Sequence, residues 1–505
     1  MEKRLVIAIA LSLLILLSWQ ALAPKPQLVE KQEVTTVSLP QQQAASTPAP
    51  ALSVASEVPL SSLINYSREE FDLVFVEPQA AIKEILFKGY KDYKVNLPSA
   101  FLLEDSSLVF KKASSDSNSI VFVHSDENKK ITKAFTFSNQ LYSIVLDVEI
   151  ENLSEGPLNV ALPMTLGVLD FAADRMMSRY MNAAVGREGK VKQVNARKSS
   201  IQQDIRFLAL RERYFTAIIE PEDGKQFGVI TKLDSQSSQI GLSPIEARLQ
   251  SGEAFSRKFY IYLGPQDLKL LNSVNPEWAG VVNYGFFDFI SQILLQLLGF
   301  LHSVVHNWGL AIVILSLIIY AFLYPLSLKQ MRSMKEMQAL QPHIEELRKL
   351  HKDNPQKLNK EIMELYREHK VNPLGGCLPL LLQMPIFISL YQALMRSVVL
   401  RGASFLWIKD LSGPDRLFVL PNALPIIGNE INLLPVVMGI GMFFQQRMTM
   451  ATSASGSAEQ QKFMMIFLPI IFTFIFYHMP AGLVLYWFIN STLMLVNQIR
   501  IKQQK

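Results

Sequence analysis

The chain has 505 residues, of which 49% are hydrophobic and 18% charged, and its formal net charge is +5. This composition is typical of a membrane protein with a sizeable soluble part. The basic residues lie in short clusters beside apolar stretches, a distribution that does not favour nucleic-acid binding. Cys377 is the only cysteine, so an intramolecular disulfide is excluded and any exported domain must be stable without one.

The first 23 residues begin with Lys3 and Arg4 and continue with an apolar run that ends in small residues. This pattern fits a cleavable signal peptide or an uncleaved signal anchor, since residues 5–23 are just long enough to span a bilayer. In both cases the two basic residues predict a cytoplasmic N-terminus and an exported continuation. Residues 24–59 are rich in Pro, Gln, Ala, Ser and Thr and lack aromatic residues, which predicts a disordered linker.

Residues 60–275 have the pattern of an all-β domain. Alternating, β-branched and aromatic segments, such as those that begin at Phe71 and Ile144, are separated by turn-like segments rich in Ser, Asp and Gly. We therefore predict an antiparallel β-sandwich with enough residues for a good core. Its polar residues include candidates for a sugar-processing site, but no spacing ties them into a carboxylate pair, and we interpret them as solvated. These candidates are His124, Asp170, Asp174 and Glu188.

Residues 276–306 are predicted to form an amphipathic helix in the membrane interface. Asp288, Ser291 and two glutamines break its apolar stretch, which is more typical of an interfacial helix than of a span. His302 and His306 lie four positions apart, as metal ligands on a helix can. Because no third ligand is near them in the sequence, we interpret them as interfacial histidines.

Residues 307–328 are predicted to form the second membrane span, and residues 373–505 the third to sixth spans and a basic cytoplasmic tail. The later spans are predicted at 374–400, 433–446, 463–478 and 483–498. Glycines and prolines, including Pro379 and Pro385, interrupt the third span. Proline frees a backbone carbonyl that lipid cannot satisfy, so a neighbouring helix or water must contact this span.

Residues 329–372 are polar, but their apolar residues fall three or four positions apart on both sides of the turn signal Asp353-Asn-Pro355. This predicts an antiparallel helical hairpin outside the bilayer. The hairpin carries ten Lys or Arg against seven acidic residues, whereas the loop 401–432 carries three of each. The bias predicts that the hairpin and both termini are cytoplasmic and that the β-domain is periplasmic. The residues singled out in the hairpin are Met331, Met334, Met337, Leu347 and Leu365.

Five motifs carry a resemblance to a known family. They are Tyr324-Pro-Leu326, Asn372-Pro-Leu-Gly-Gly-Cys377, Gln383-Met-Pro-Ile-Phe387, Met442-Phe-Phe444 and Pro480-Ala-Gly-Leu-Val-Leu-Tyr486. They resemble the YidC branch of the YidC/Oxa/Alb family of membrane protein insertases. The resemblance implies a bacterial inner-membrane insertase of the Gram-negative type, with six spans, a five-helix core, a cytoplasmic hairpin and a periplasmic β-supersandwich. It also favours an uncleaved signal anchor.

Polar residues in the predicted spans cost free energy in lipid unless they face other helices or water. One explanation is hydrogen bonding between helices of a static bundle. The resemblance implies another, a polar groove that is open to cytoplasm and lipid and closed toward the periplasm. The predicted groove residues are Ser316, Tyr320, Gln383, Met384, Pro385, Phe387, Tyr486, Trp487 and Asn490.

Tyr320 departs from the family pattern, in which an arginine precedes the proline of the Tyr-Pro-Leu motif by five residues. A mechanism that depends on a fixed positive charge at this position is therefore in doubt. Arg396 could replace that arginine. It lies near the periplasmic end of its span, however, where a long basic side chain is expected to snorkel to the interface.

The sequence contains no P-loop lysine motif, metal-ligand cluster or nucleophile triad, so we expect neither enzyme activity nor a cofactor. We predict an insertase and chaperone with a wet groove, and a Met-rich hairpin that offers an adaptable surface. The expected partners are nascent inner-membrane proteins, the Sec translocon, the ribosome and phospholipid, with no nucleic-acid substrate. Two other classes stay open. The first is a small-solute transporter or channel, which would need an intramembrane site and usually internal repeats. The second is a membrane-anchored periplasmic binding or scaffold protein.

Overall fold

The fold was obtained as a computed structural model, which describes residues 62–172, 177–351, 354–369, 371, 378–424, 428–450 and 458–503. The predicted signal anchor and linker, Asp174 and the motif Asn372–Cys377 lie outside the described residues. The side chains of Met331 and Met334 lie outside them as well.

Residues 63–265 form a domain of antiparallel strands, as predicted. The strands are β1 (Leu63–Ser67), β2 (Phe71–Val76), β3 (Ala81–Phe87), β4 (Tyr93–Ala100), β5 (Leu102–Leu103), β6 (Lys111–Ser115), β7 (Ser119–Ser125), β8 (Lys129–Phe137), β9 (Ser143–Asn152), β10 (Leu158–Asp170), β11 (Asn182–Arg187), β12 (Lys190–Val194), β13 (Ser200–Ile205), β14 (Phe207–Arg211), β15 (Phe215–Pro221), β16 (Gln226–Lys232), β17 (Ser237–Leu249) and β18 (Ala254–Pro265).

These strands make three sheets around one hydrophobic core. The sheets have the orders β1-β2-β3-β4, β13-β16-β17-β10-β5 and β12-β11-β14-β15-β18-β9-β8-β7-β6. Side chains from all three sheets, such as Phe75, Phe135 and Leu162, are buried in the same cluster. In β9 every second residue is buried, which is the period of two that the sequence shows over this strand. The all-β prediction is confirmed.

Lys133 is a cation inside this core. Its side chain on β8 is fully buried, and its ammonium group donates hydrogen bonds to the carbonyls of Ala80 and Phe101 at 2.5 and 2.6 Å. The rings of Phe110 and Phe135 lie 5.6 and 5.5 Å from the same nitrogen. Burial lowers the pKa of Lys133 to about 7, because removal from water disfavours the charged form.

The chain continues as helices. They are α1 (Leu268–Val274), α2 (Asp288–Val305), α3 (Trp308–Ala339), α4 (Gln341–Leu350), α5 (Pro355–Glu368), α6 (Leu378–Arg396), α7 (Leu433–Met450), α8 (Ala458–Phe476) and α9 (Ala481–Gln503). In the described part of the chain, three helical segments are long and apolar enough to cross a membrane: Asp288–Val305, Trp308–Leu328 and Ala481–Arg500. Met465–Phe476 is a shorter apolar segment. The first of these segments is α2, which the sequence predicts to lie in the interface.

α2 buries one face, which includes Leu294, Leu298 and Leu301, and exposes Phe289 and Phe300 on the other. Both faces of α2 are therefore largely apolar, and the helix is long enough to cross a membrane. His302 stacks on Trp308, with ring centroids 3.8 Å apart. The described residues contain no group of three or more His, Cys, Asp or Glu that could hold a metal ion.

The hairpin is assembled differently from the prediction. α3 continues beyond the apolar segment to Ala339, and the chain breaks at Leu340 before α4. α4 and α5 then pack through a small core of Met337, Leu340, Ile344, Tyr366 and Val371, against which Ile362 and Leu365 lie. The proline at the second position of α4 explains the break, since it cannot donate an intrahelical hydrogen bond.

The β-domain is fastened to the helices by basic side chains that donate to backbone carbonyls. Arg213, on the turn between β14 and β15, donates to the carbonyl of Met395 near the end of α6 at 2.6 Å. Lys91 donates to the carbonyl of Gly402, and the Arg401 guanidinium lies 4.1 Å from the ring of Tyr93. The segment that follows α6 therefore lies against the β-domain. It also contains a ribbon of two strands, β19 (Phe418–Leu424) and β20 (Gly428–Ile431), which the sequence analysis describes only as a loop.

Candidate functional site

The candidate site is a polar seam where α9 meets α3 and α6. Tyr486, Asn490 and Asn497 are four and seven positions apart, so they lie along one face of α9. No charged residue occurs between Trp308 and Leu328 or between Ala481 and Ile499. The polar groups of the seam are therefore neutral side chains and backbone carbonyls inside strongly apolar helices.

Gln383 and Tyr486 join α6 to α9. The amide nitrogen of Gln383 donates a hydrogen bond to the hydroxyl of Tyr486, and the Tyr486 side chain is fully buried. One turn further along α9, the amide of Asn490 donates to the carbonyl of Tyr486 at 3.0 Å. Because Gln383 is only partly buried, a partner could approach this hydrogen bond from the α6 side.

Tyr320 joins α3 to α9. Its hydroxyl donates to the carbonyl of Leu493 at 3.3 Å and also interacts with the side chain of Asn497. Its ring lies 6.0 Å from that of Tyr324, one turn along α3. The hydroxyl thus adds a neutral hydrogen-bonding group to the seam, where the family pattern has an arginine. Asn497 is not among the groove residues predicted from the sequence, although its spacing of seven positions from Asn490 provides that signal.

An aromatic cluster closes one side of the seam. Phe387 of α6 meets Trp487 edge to face, with ring centroids 4.9 Å apart. Phe472 and Phe476 of α8 lie 5.6 and 5.4 Å from the same indole. The indole N–H of Trp487 is buried and has no hydrogen-bond partner among the described residues. Phe387 and Trp487 are therefore neighbours in the seam. The indole N–H of Trp487 is a polar donor surrounded by aromatic rings.

The other predicted groove residues have local roles. Ser316 is fully buried and donates back to the carbonyl of Ile312 at 2.8 Å, so its hydroxyl is satisfied within α3. Met384 is 38% exposed. Pro385 lies inside α6, and its carbonyl accepts from the hydroxyl of Ser389 at 2.6 Å.

Arg396 contacts the junction between α6 and the β-domain. It lies at the end of α6, where its guanidinium donates to the carbonyl of Asn283 and stands 5.3 Å from the ring of Tyr180. Arg396 lies thirteen positions beyond Gln383 on α6, or about 20 Å along the helix. The arginine is drawn into the junction with the β-domain because carbonyl and aromatic partners are available there.

The hairpin residues divide between buried and exposed positions. Met337 is 7% exposed, so it fills the joint between α3 and the hairpin and is not part of an adaptable surface. Leu347 and Leu365 are both partly buried, and Leu365 packs against the hairpin core. Met363 is 57% exposed and remains available to a partner.

Comparison with known proteins covers both halves of the chain. Residues 84–297 match the family model described as YidC periplasmic domain, and residues 300–505 match the model described as 60Kd inner membrane protein. Membrane protein insertase YidC of Geotalea daltonii is 32% identical over 546 residues, covering 100% of this chain and 99% of the relative.

The corresponding protein of Pelobacter propionicus is also 32% identical, over 553 residues, with the same coverage of 100% and 99%. A solved structure titled as an active YidC insertase with the first transmembrane domain resolved aligns over 88% of this chain and 93% of that chain, at 21% identity and a TM-score of 0.41. The full-length relatives and the two family models establish that the chain belongs to the YidC family of membrane protein insertases, as an inner-membrane protein with a periplasmic β-domain.

Proposed function

We propose that this chain inserts proteins into the inner membrane and assists their folding, the activity for which its relatives are named. The observation that carries the proposal is the polar seam of α3, α6 and α9. Gln383, Tyr486 and Tyr320 place hydrogen-bonding groups within strongly apolar stretches of these helices. A static bundle would not need a partly exposed amide such as that of Gln383 at this position.

The energetics favour a wet route over bare lipid. A charged residue costs about 2.5–3.5 kcal/mol at the centre of a spanning helix on insertion scales. A short polar tail that crosses beside Gln383 can exchange hydrogen bonds with the seam and its water and avoid most of that cost. The apolar span of the client then enters the lipid, and its burial provides the driving force. Such a mechanism requires no nucleotide and no covalent step.

The proposed topology has six spans: residues 5–23, the apolar part of α3, α6, α7, α8 and α9. α2 lies in the interface. Two contacts support the orientation, since Lys91–Gly402 and Arg213–Met395 place the end of α6 on the side of the periplasmic β-domain. The hairpin α4–α5 then lies in the cytoplasm together with both termini, as its excess of basic residues favours.

The proposed partners are nascent inner-membrane proteins, with the ribosome and the Sec translocon as helpers. Support for a cytoplasmic contact comes from the exposed side chains of the hairpin. Met363 and Leu350 are 57% and 73% exposed and lie outside its core. The unbranched and flexible side chain of a methionine such as Met363 adapts to varied partners.

Purified full-length protein in phospholipid vesicles tests this function. We expect a single-span client with a short polar tail to insert without nucleotide, faster than into empty vesicles. Equal insertion into empty vesicles would contradict the proposal. Two further observations separate the alternatives: solute flux through the vesicles would indicate a channel or transporter, and complete loss of activity on deletion of residues 60–270 would indicate a periplasmic binding protein.

A further inference from the structure

A tight turn after α6 presents two large apolar side chains that the protein does not cover. Phe405 and Ile408 exchange both backbone hydrogen bonds, at 2.9 Å each, so Leu406 and Trp407 occupy the two central positions of the turn. Leu406 is 74% exposed and Trp407 is 37% exposed. Most exposed apolar side chains in soluble proteins stand singly, whereas these two are adjacent.

The backbone makes the leucine costly at this position. Leu406 has φ +53°, in the left-handed region that disfavours a side chain with a Cβ. Glycine or asparagine would relieve this strain. The leucine gains no compensating burial inside the protein, so its stabilisation must come from something outside the chain.

The turn is held rigidly at the ends of two membrane helices. The indole N–H of Trp407 donates to the carboxylate of Asp415 at 3.1 Å. The same carboxylate oxygen accepts the backbone N–H groups of Leu433 and Leu434, in the first turn of α7, at 2.9 and 2.8 Å.

The other side of the turn rests on α3. The ring of Phe405 lies against Gly309 so closely that a Cβ there would overlap it. Gly309 belongs to the first turn of the apolar segment Trp308–Leu328. The turn is therefore level with the place where this segment begins.

A second apolar feature lies in the same segment between α6 and α7. Phe418 and Val419, neighbours at the start of β19, are each 63% exposed. Consecutive residues of a strand point to opposite faces, so both faces of this ribbon are uncovered. Lys409, one residue beyond the turn, is also exposed and adds a positive charge beside it.

We propose that the Leu406–Trp407 turn is buried in the periplasmic leaflet of the bilayer and holds the bundle at a fixed depth. Leu406 then lies in the acyl-chain region, and Trp407 lies at the level where indole rings concentrate. Lys409 reaches the lipid phosphates, as long basic side chains do. The indole N–H enters the interface with its hydrogen bond to Asp415 already made. This proposal rests on the proposed crossing of α3, and the occupant is phospholipid.

Site-directed spin labelling of the full-length protein tests the proposal. In a Cys377→Ser background, Leu406→Cys is labelled in vesicles of phosphatidylethanolamine and phosphatidylglycerol. Its collision with oxygen, which partitions into lipid, is compared with its collision with a water-soluble nickel chelate. Ile201→Cys on β13, 67% exposed, is the aqueous control, and Leu317→Cys on α3, 44% exposed, is the lipid control.

We expect the ratio of oxygen to nickel accessibility at 406 to be several-fold above that at 201 and close to that at 317. A ratio at 406 equal to that at 201, with 317 in lipid, would refute the anchor and leave the crossing of α3 intact. A ratio at 317 equal to that at 201 would refute the crossing of α3, and the anchor with it. If the label at 406 is in water until a client is added, the turn binds protein and the lipid proposal is wrong. As a second measurement, Trp407→Phe should remove part of the fluorescence that brominated lipids quench, and unchanged quenching would contradict the anchor.

Discussion

Replacing the buried Lys133 by methionine should change how the stability of the β-domain depends on pH. Burial holds the pKa of Lys133 at about 7 in the folded state, against an ordinary value of 10.5. Between these two values the unfolded chain keeps a proton that the folded chain has lost. The free energy of unfolding therefore rises with pH in this window, by about 1.4 kcal/mol per pH unit and by roughly 5 kcal/mol in all. Below pH 7 the amine is protonated in both the folded and the unfolded state, and the full cost of burying its charge lowers the free energy of unfolding.

The variant Lys133→Met cannot titrate, so its unfolding free energy should lack this slope. At pH 7 it loses a buried charge but leaves the carbonyls of Ala80 and Phe101 unpaired, each at about 1–3 kcal/mol. Because these effects oppose each other, the difference in unfolding free energy between wild type and variant at a single pH is uninformative. The difference between wild type and variant should nevertheless move in favour of wild type by about 3 kcal/mol from pH 7 to pH 9.5.

Urea unfolding of the detergent-solubilised full chain, followed by circular dichroism, provides the measurement. Lys130→Met is the matched control, because Lys130 lies on the same strand, its side chain is 44% exposed, and it faces Glu151 at 3.4 Å. Its difference from wild type should stay constant over the window. Parallel curves for wild type and Lys133→Met would refute the reasoning, since they would mean that the two carbonyls and two rings keep the ammonium charged.

Three further predictions concern the helices. Tyr320→Phe removes the hydrogen bond to α9, worth about 0.5–1.5 kcal/mol; insertion should fall in a graded way, most for clients with acidic tails, whereas an equal loss for all clients would indicate a purely structural role. Ile344→Asp puts a charge into the hairpin core, where the side chain is 1% exposed, and should abolish insertion with the spans still in the membrane. Asn359→Asp, at an exposed position on α5 outside this core, is its control and should be nearly silent. Gln356 and Lys409 are both exposed. A cysteine at position 356 should be labelled only from the cytoplasm, and one at position 409 only from the periplasm. Labelling of position 356 from the periplasm would overturn the topology.

The elements with a strong local pattern are those that the sequence predicts well. The alternation in β9 can be read from that segment alone, because burial of one face of a strand imposes a period of two. The charge-free run from Trp308 can be read in the same way, because the lipid core imposes a minimum length. The ribbon β19–β20 carries no such pattern: Pro421 interrupts β19, and its apolar residues are exposed on both faces. Local periodicity could not distinguish it from a loop.

The roles that the sequence misses depend on contacts between distant parts of the chain. Arg396 is placed by Asn283 and Tyr180, far away in the sequence. Met337 is buried because α3 ends at the hairpin core, and only this packing distinguishes it from the exposed Met363. Within the seam, the family motif identifies Gln383, but only the fold shows that its partner is Tyr486.

The most direct test of the central claim is where a client in transit touches the protein. A photo-reactive amino acid is placed at Gln383 in the seam or at Phe474, which is 55% exposed on α8, and each variant is offered a stalled nascent chain with a short polar tail. The account predicts that the tail crosslinks strongly to position 383 and weakly to position 474. Stronger crosslinking at 474, or none at 383 in a variant that still inserts the client, would contradict passage through the seam.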